Sequence, residues 1–179
     1  MVSPFLFFPD ERLSLAELTA ACLDGWLVPL GEGFMPADAA ETTWMRARSL
    51  APLLDDRWGA VRRSAAWVHG GVAEEPSRHH LQRIRESRVR SRHDPRAVFH
   101  DVRLPSADLQ RIGGTAVSTP ARTLVDLARS DDPDDTAAAR AWADHDPVVA
   151  AHAEQWLHRH PRFPHARRAA HVLGGVAAP

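Results

Sequence analysis

The ten residues Thr119–Ala128, TPARTLVDLA, open as a helix should. Thr119 suits the cap, and Pro120 fits the first helical position, where no backbone N–H is needed. Ala121, Leu124, Val125 and Ala128 then recur on one face, as a helix packed on a core requires. Two charges complicate the pattern. Arg122 falls in the first turn, at the positive end of the helix dipole, where a cation is disfavoured. Asp126 follows four residues later, the weaker order for a helical ion pair. Arg122, Asp126 and Arg129 share a face opposite the apolar one. The expectation is that Arg122 serves as a strut, bonded to a carboxylate or carbonyl of the neighbouring sheet or domain.

Toward the N-terminus, Ser14-Leu15-Ala16-Glu17 is a capping box, and Asp24-Gly25 ends the helix it opens. WLVPL, GEG and FMPA read as strand, turn and strand. Asp38 and Glu41 signal a second helix with Ala40, Trp44, Ala47, Ala51 and Leu54 as its core stripe, and Pro52 ends it. RRSAAWVHGG predicts a third helix, capped by Ser64 and stopped by Gly70-Gly71. From Pro76 the stretches HHLQRI, SRVRSR, AVFHDVRL and DLQRI alternate partially, which predicts a small antiparallel sheet. After Ala128, the acids of DDPDD suit the start of another helix, and two more are expected near Val148–His160 and His165–Leu173. The fold class is therefore α+β: an N-terminal helix–hairpin and helices, then a small mixed sheet packed by C-terminal helices. The change in pattern near Glu74–Ser77 suggests a division into residues 1–75 and 76–179.

The 179 residues are 44% hydrophobic and 25% charged, an ordinary globular balance that can bury a core, with six tryptophans as its anchors. Without a run of about 18 apolar residues no membrane span is expected, and FLFF at Phe5–Phe8 is too short for a signal peptide, so a cytoplasmic location follows. The single Cys22, among Leu18, Ala21 and Leu23, reads as a buried, inert thiol. Lys, Asn and Tyr are absent, as in a GC-rich gene. Without Lys there is no lysine nucleophile and no P-loop.

The net charge of −1 hides segregation. Residues 1–60 carry four Arg against nine acids, and residues 130–146 one Arg against six. Residues 78–103 carry eight Arg against three acids. Here Arg78, Arg83, Arg85, Arg88, Arg90 and Arg92 can meet phosphates, with Arg62 and Arg63 upstream, and on a strand Arg88, Arg90 and Arg92 project to one side. An acidic protein, or a solvated face in which Arg does all the cationic work, fits the same pattern. The 11 histidines lack metal-ligand spacing, and His69, before Gly70-Gly71, is by default a capping or core residue. No catalytic triad motif, phosphate-cradling glycine loop or nuclease carboxylate set is present, so no catalytic residue, metal or cofactor is assigned.

Three stretches together resemble the AbiEi-like antitoxins of type IV toxin–antitoxin (abortive infection) systems. LSLAELTAACLDGWLVPLGEGFMPAD is similar to the end of that family's winged-helix region, and RSAAWVHGG to the helix that follows it. GGTAVSTPARTLVDLAR matches the family's V-T-T-P-x-R-T-L-x-D-L-A signature, which makes His69, Thr119, Pro120, Arg122 and Asp126 signature positions. The resemblance covers most of residues 12–130. It implies a winged-helix-like N-terminal domain, a small α/β C-terminal domain, and a bacterial, non-enzymatic transcriptional autoregulator. Its partners would be operator DNA and a nucleotidyltransferase-type toxin. Many actinobacterial relatives carry a further nuclease-like domain; this chain reads as a short member without it. Only one helix precedes the hairpin, and it lacks basic residues. DNA contact is therefore expected to lean on Arg46, Arg48, Arg62, Arg63 or the central Arg run. The alternative is a protein-interaction module of the same fold that has lost DNA binding.

Overall fold

The computed structural model describes residues 5–86 and 93–174. Helix α1 (Leu15–Leu23) starts at the capping box: Ser14 Oγ accepts from the Glu17 N–H, and the Glu17 carboxylate accepts from the Ser14 N–H at 2.7 Å. It ends at Asp24, followed by Gly25 with φ +78°. Strands β1 (Leu27–Leu30) and β2 (Gly33–Pro36) pair antiparallel around the turn Gly31-Glu32. Phe7 adds a bridge to Phe34 on the hairpin's other edge. Helix α2 (Thr43–Ser49) is capped by Thr42, not by Asp38, and ends before Pro52. Ala40, Ala51 and Leu54 of the expected stripe therefore fall outside the helix; Met45, Ala47 and Ser49 are buried, while Trp44 faces solvent at 40% exposure.

Strand β3 (Trp58–Ala60) leads directly into helix α3 (Arg62–His69), which begins at Val61 without a side-chain cap and ends at Gly70 in the left-handed conformation. Ser64 lies inside this helix, so its hydroxyl is free to bond elsewhere. Strands β4 (His79–Arg83), β5 (Ala97–His100), β6 (Leu109–Ile112) and β7 (Thr115–Ser118) complete a five-stranded sheet in the order β5-β4-β3-β7-β6. The sheet is mixed rather than antiparallel in its second half. Strands β4 and β5 run parallel, as do β3 and β7, while β3–β4 and β6–β7 are antiparallel. The antiparallel expectation fails at two pairings: β3, buried at every residue, inserts between β4 and β7 and runs parallel to β7, and β5 lies parallel to β4. The expected boundary at Glu74–Ser77 thus falls between α3 and β4, both of which belong to this sheet-centred unit.

Four helices follow: α4 (Pro120–Ala128), α5 (Pro133–His145), α6 (Pro147–Arg159) and α7 (Ala166–Gly174). The first three share one start signal, a capping Thr119, Asp132 or Asp146 followed by proline. Helix α4 is the hub, packed on α3, α5, α6 and α7, and every residue from Arg122 to Ala128 is buried. Leu124, Val125, Leu127 and Ala128 join Trp142, Trp156, Leu157, Val172 and Leu173 in one core. A second core joins the hairpin (Leu30, Met35) to α2, α3 and the sheet through Met45, Trp67 and Val117. Trp58, Trp67, Trp142 and Trp156 anchor these cores, whereas Trp26, at 74% exposure, and Trp44 do not. Cys22 is half-buried, more open than expected, because only Leu18 of α1 is fully enclosed. No described helix is long and apolar enough to cross a membrane.

Candidate nucleic-acid interface and the buried arginine network

Arg122 sits where the fold is densest. Its Nη1 donates to Asp108 Oδ2 at 2.6 Å and its Nε to Asp126 Oδ2 at 2.9 Å. The other Asp126 oxygen accepts from Arg129 Nε at 2.8 Å, and the other Asp108 oxygen from the Trp156 indole N–H at 2.6 Å. The guanidinium also lies over the rings of Trp156 and Phe163. The residue is a strut, as expected, but its face is buried rather than opposite the core: Arg122, Asp126 and Asp108 are each at most 5% exposed. Helices α6 and α7 and their connection cover it. Asp108, from the turn before β6, supplies the negative charge that offsets a cation at the dipole's positive end. Asp108 was not singled out in the sequence, because the partner is remote in the chain. Thr119 caps α4 and Pro120 takes its first position.

His69 closes the same region from α3. Its Nε2 meets the Ser118 carbonyl at 2.8 Å and must carry the proton, since a carbonyl only accepts. Burial pushes its pKa down, so the ring stays neutral, stacked on Trp142. It ties α3 to the end of β7.

A Ser–His–Glu relay lies beside it. Ser64 Oγ is 3.2 Å from His79 Nδ1, and His79 Nε2 is 3.0 Å from Glu75 Oε1. The order of side chains is that of an activated nucleophile, but Ser64 is fully enclosed and its oxygen accepts the His80 N–H. The relay acts as a clamp. Glu75 Oε2 accepts from Gly31 N–H, so the hairpin turn is held to α3 and β4. Burial works against the Glu75 carboxylate, yet hydrogen bonds from His79 and Gly31 outweigh it and leave its pKa below the ordinary value.

The arginines expected to meet phosphate divide into two groups. Arg83 is committed to the protein: it donates to the Asp101 carboxylate and to the carbonyls of Arg85 and Glu86. Arg85 pairs with Asp56 across the β3–β4 edge. Arg88, Arg90 and Arg92 lie outside the described residues. Arg63 and Arg78 line a cleft of about 580 Å³ between the start of α3 and the β4–β5 edge, together with His80, Ser77 and Glu74; Arg62, next to Arg63, is near enough for its charge to act on His80. Arg63 is tied to Asp135, and Arg78 donates to the Ala97 carbonyl. Arg62 has no ion-pair or hydrogen-bond partner among the described residues, and its backbone takes φ +51°, uncommon for a residue with a Cβ. Deeper in, His80 Nδ1 and His100 Nε2 share a hydrogen bond at 3.1 Å, with the rings stacked. Burial, and then the Arg62 charge, lower both pKa values, His100 to about 4. Two neutral imidazoles can share that bond and two cations cannot. The histidine pair escaped the sequence reading because the parallel β4–β5 pairing creates it. Among the described residues no group of three His, Cys, Asp or Glu side chains is placed to hold a metal.

A family model described as the AbiEi antitoxin C-terminal domain matches residues 59–161. The chain belongs to the AbiEi antitoxin family. The match begins at β3 and ends just beyond α6, so it spans the whole five-stranded sheet, the α4 hub and the Arg122 network. Membership gives the chain the role of the antitoxin in a toxin–antitoxin pair. No curated protein matches the sequence significantly.

Proposed function

We propose that this antitoxin represses its own operon by binding operator DNA, that it counters a nucleotidyltransferase-type toxin, and that it acts in the cytoplasm by binding and not by catalysis. The family match from β3 to α6 carries the antitoxin role. Arg63 and Arg78 in the cleft wall support the DNA reading, with Arg62 beside them and without an ion-pair or hydrogen-bond partner among the described residues. In this reading α1, the hairpin and α2 are a reduced winged-helix-like part, and we place its division from the C-terminal domain ahead of β3. The test is a gel shift on the operon's upstream region. Affinity should fall steeply with salt, since each neutralised phosphate releases a counterion. Absence of a shift at low salt refutes the DNA reading.

The rival reading, an interaction module without DNA binding, draws on the N-terminal part. That part is acidic and exposes Leu15, Leu23 and Trp26. It predicts capture of the neighbouring gene's product, weakened by Trp26→Ala and Leu23→Ser and indifferent to Arg62→Glu.

A further inference from the structure

We propose that the α6–α7 hairpin is a duplex-DNA contact surface, seated on backbone phosphates through Arg162 and Arg167; this rests on the DNA-binding reading above. Residues 158–171, HRHPRFPHARRAAH, hold four arginines and four histidines and no acid. All eight basic side chains are exposed. The stretch runs from the end of α6, through the connection, to the exposed side of α7. It begins where the family match is ending at residue 161, so Arg162, Arg167 and Arg168 lie beyond the matched residues.

Three observations fit a polyanion. First, Arg162 and Arg167 have no ion-pair or hydrogen-bond partner among the described residues, whereas Arg168 is paired with Asp131. Second, Arg167 and Arg168 stand in the first turn of α7, which holds no acid; cations there oppose the helix dipole, and an anionic ligand relieves the conflict. Third, α7 buries Ala169, Val172 and Leu173, which leaves Arg167, Ala170, His171 and Gly174 along its outer side. Ala170, small and exposed between Arg167 and His171, lets a phosphate backbone approach closely.

The surface chemistry separates nucleic acid from an acidic protein. Stable protein interfaces are anchored by buried aromatic or aliphatic side chains. None of the exposed large hydrophobic side chains among the described residues lies in this stretch, and Phe163 is turned inward onto Trp156 and the arginines. Leu13, Leu15, Leu23, Trp26 and Val28 are exposed instead at α1 and the hairpin, in the acidic part of the chain, while Val148 stands at the far end of α6. Phosphate contact needs charge without such anchors.

The experiment is fluorescence anisotropy on the full chain with a labelled duplex of the operon's upstream region, from low to moderate salt. Arg162→Glu/Arg167→Glu should weaken binding at least tenfold and reduce the slope of log K against log salt by about 2, at roughly 0.9 per phosphate contact. Arg140→Glu, at an exposed arginine of α5 without an ion-pair or hydrogen-bond partner among the described residues, should change neither by more than twofold. Circular dichroism and an unchanged melting temperature establish that the double variant is folded. Parent-like affinity and slope in Arg162→Glu/Arg167→Glu overturn the proposal. If the same duplex is then lost on Arg62→Glu/Arg78→Glu, DNA binding stands but belongs to the cleft. If the parent binds no duplex, both readings fail. Tighter, Arg162-dependent binding of a single-stranded RNA of equal length overturns the duplex assignment.

Discussion

Replacing Arg122 with alanine tests the central claim about the α4 hub. The substitution deletes two charge-assisted hydrogen bonds, to Asp108 and Asp126, and the guanidinium stacked on Trp156 and Phe163. It leaves two carboxylates that are at most 5% exposed. Asp126 keeps Arg129, and Asp108 keeps the Trp156 indole, so each loses one partner and not all. Removing one member of a buried ion pair costs about 3–5 kcal/mol, because the remaining charge cannot regain water. Small domains have only about 5–15 kcal/mol in total, so a large fraction of the stability margin is at stake. With a urea dependence of roughly 2 kcal/mol per molar, the midpoint should fall by about 1.5–2.5 M. Tryptophan fluorescence reports it directly, since Trp156 lies in the network. Asp108→Asn in the Arg122→Ala background removes the orphaned charge and should recover part of the loss, with a coupling of about 1–3 kcal/mol. A midpoint shift below 0.5 M in Arg122→Ala, with duplex binding abolished, would refute the strut and make Arg122 a ligand-contacting residue.

The His80–His100 pair sets a pH dependence. The folded pKa values lie below the unfolded value, His100 at about 4, so the unfolded chain binds more protons as the pH drops. The pair's contribution is complete above pH 6.5 and lost progressively between pH 6.5 and about 4; urea titrations of His100→Gln should show a flatter profile over that window. Gly71→Ala places a methyl against the Trp142 ring, and the overpacking should cost about 1–3 kcal/mol, seen as a lower melting temperature. Ser64→Ala leaves the His80 N–H and His79 Nδ1 without their buried partner and should cost about 1–3 kcal/mol by denaturant unfolding. The variant would also loosen the hold of Glu75 on Gly31, measurable as faster amide exchange at the hairpin turn.

Local chemistry was legible wherever a few consecutive residues settle it. The Ser14–Glu17 capping box, the β1–β2 hairpin, the Thr119-Pro120 start of α4 and the span of the last two helices all follow from caps, turns and 3.6-residue spacing, and the structure agrees within a few residues. The α2 stripe misled because the helix runs only from Thr43 to Ser49, which leaves Ala40, Ala51 and Leu54 outside it. The sheet's antiparallel reading failed for a different reason. Parallel pairing depends on which strand lies beside which, and no local pattern encodes that β3 inserts between β4 and β7.

The candidate site divides along the same line. Charge segregation is additive along the chain, so the arginine-rich middle could be counted, and the signature around Arg122 could be matched. Which arginines are spent on internal carboxylates and carbonyls could not. Arg83 and Arg85 are struts, and Arg62 is without a partner among the described residues, only because of what folding brings within a few ångströms. The sequence by itself determined where α1 and α4 begin, the span of the last two helices, the family and the sign of charge in each segment, since these depend on neighbours in the chain. The tertiary structure alone decided that TPARTLVDLA is buried on all sides, with Asp108 and Trp156 completing Arg122, because an ion pair's strength is set by the distance and burial of groups remote in sequence.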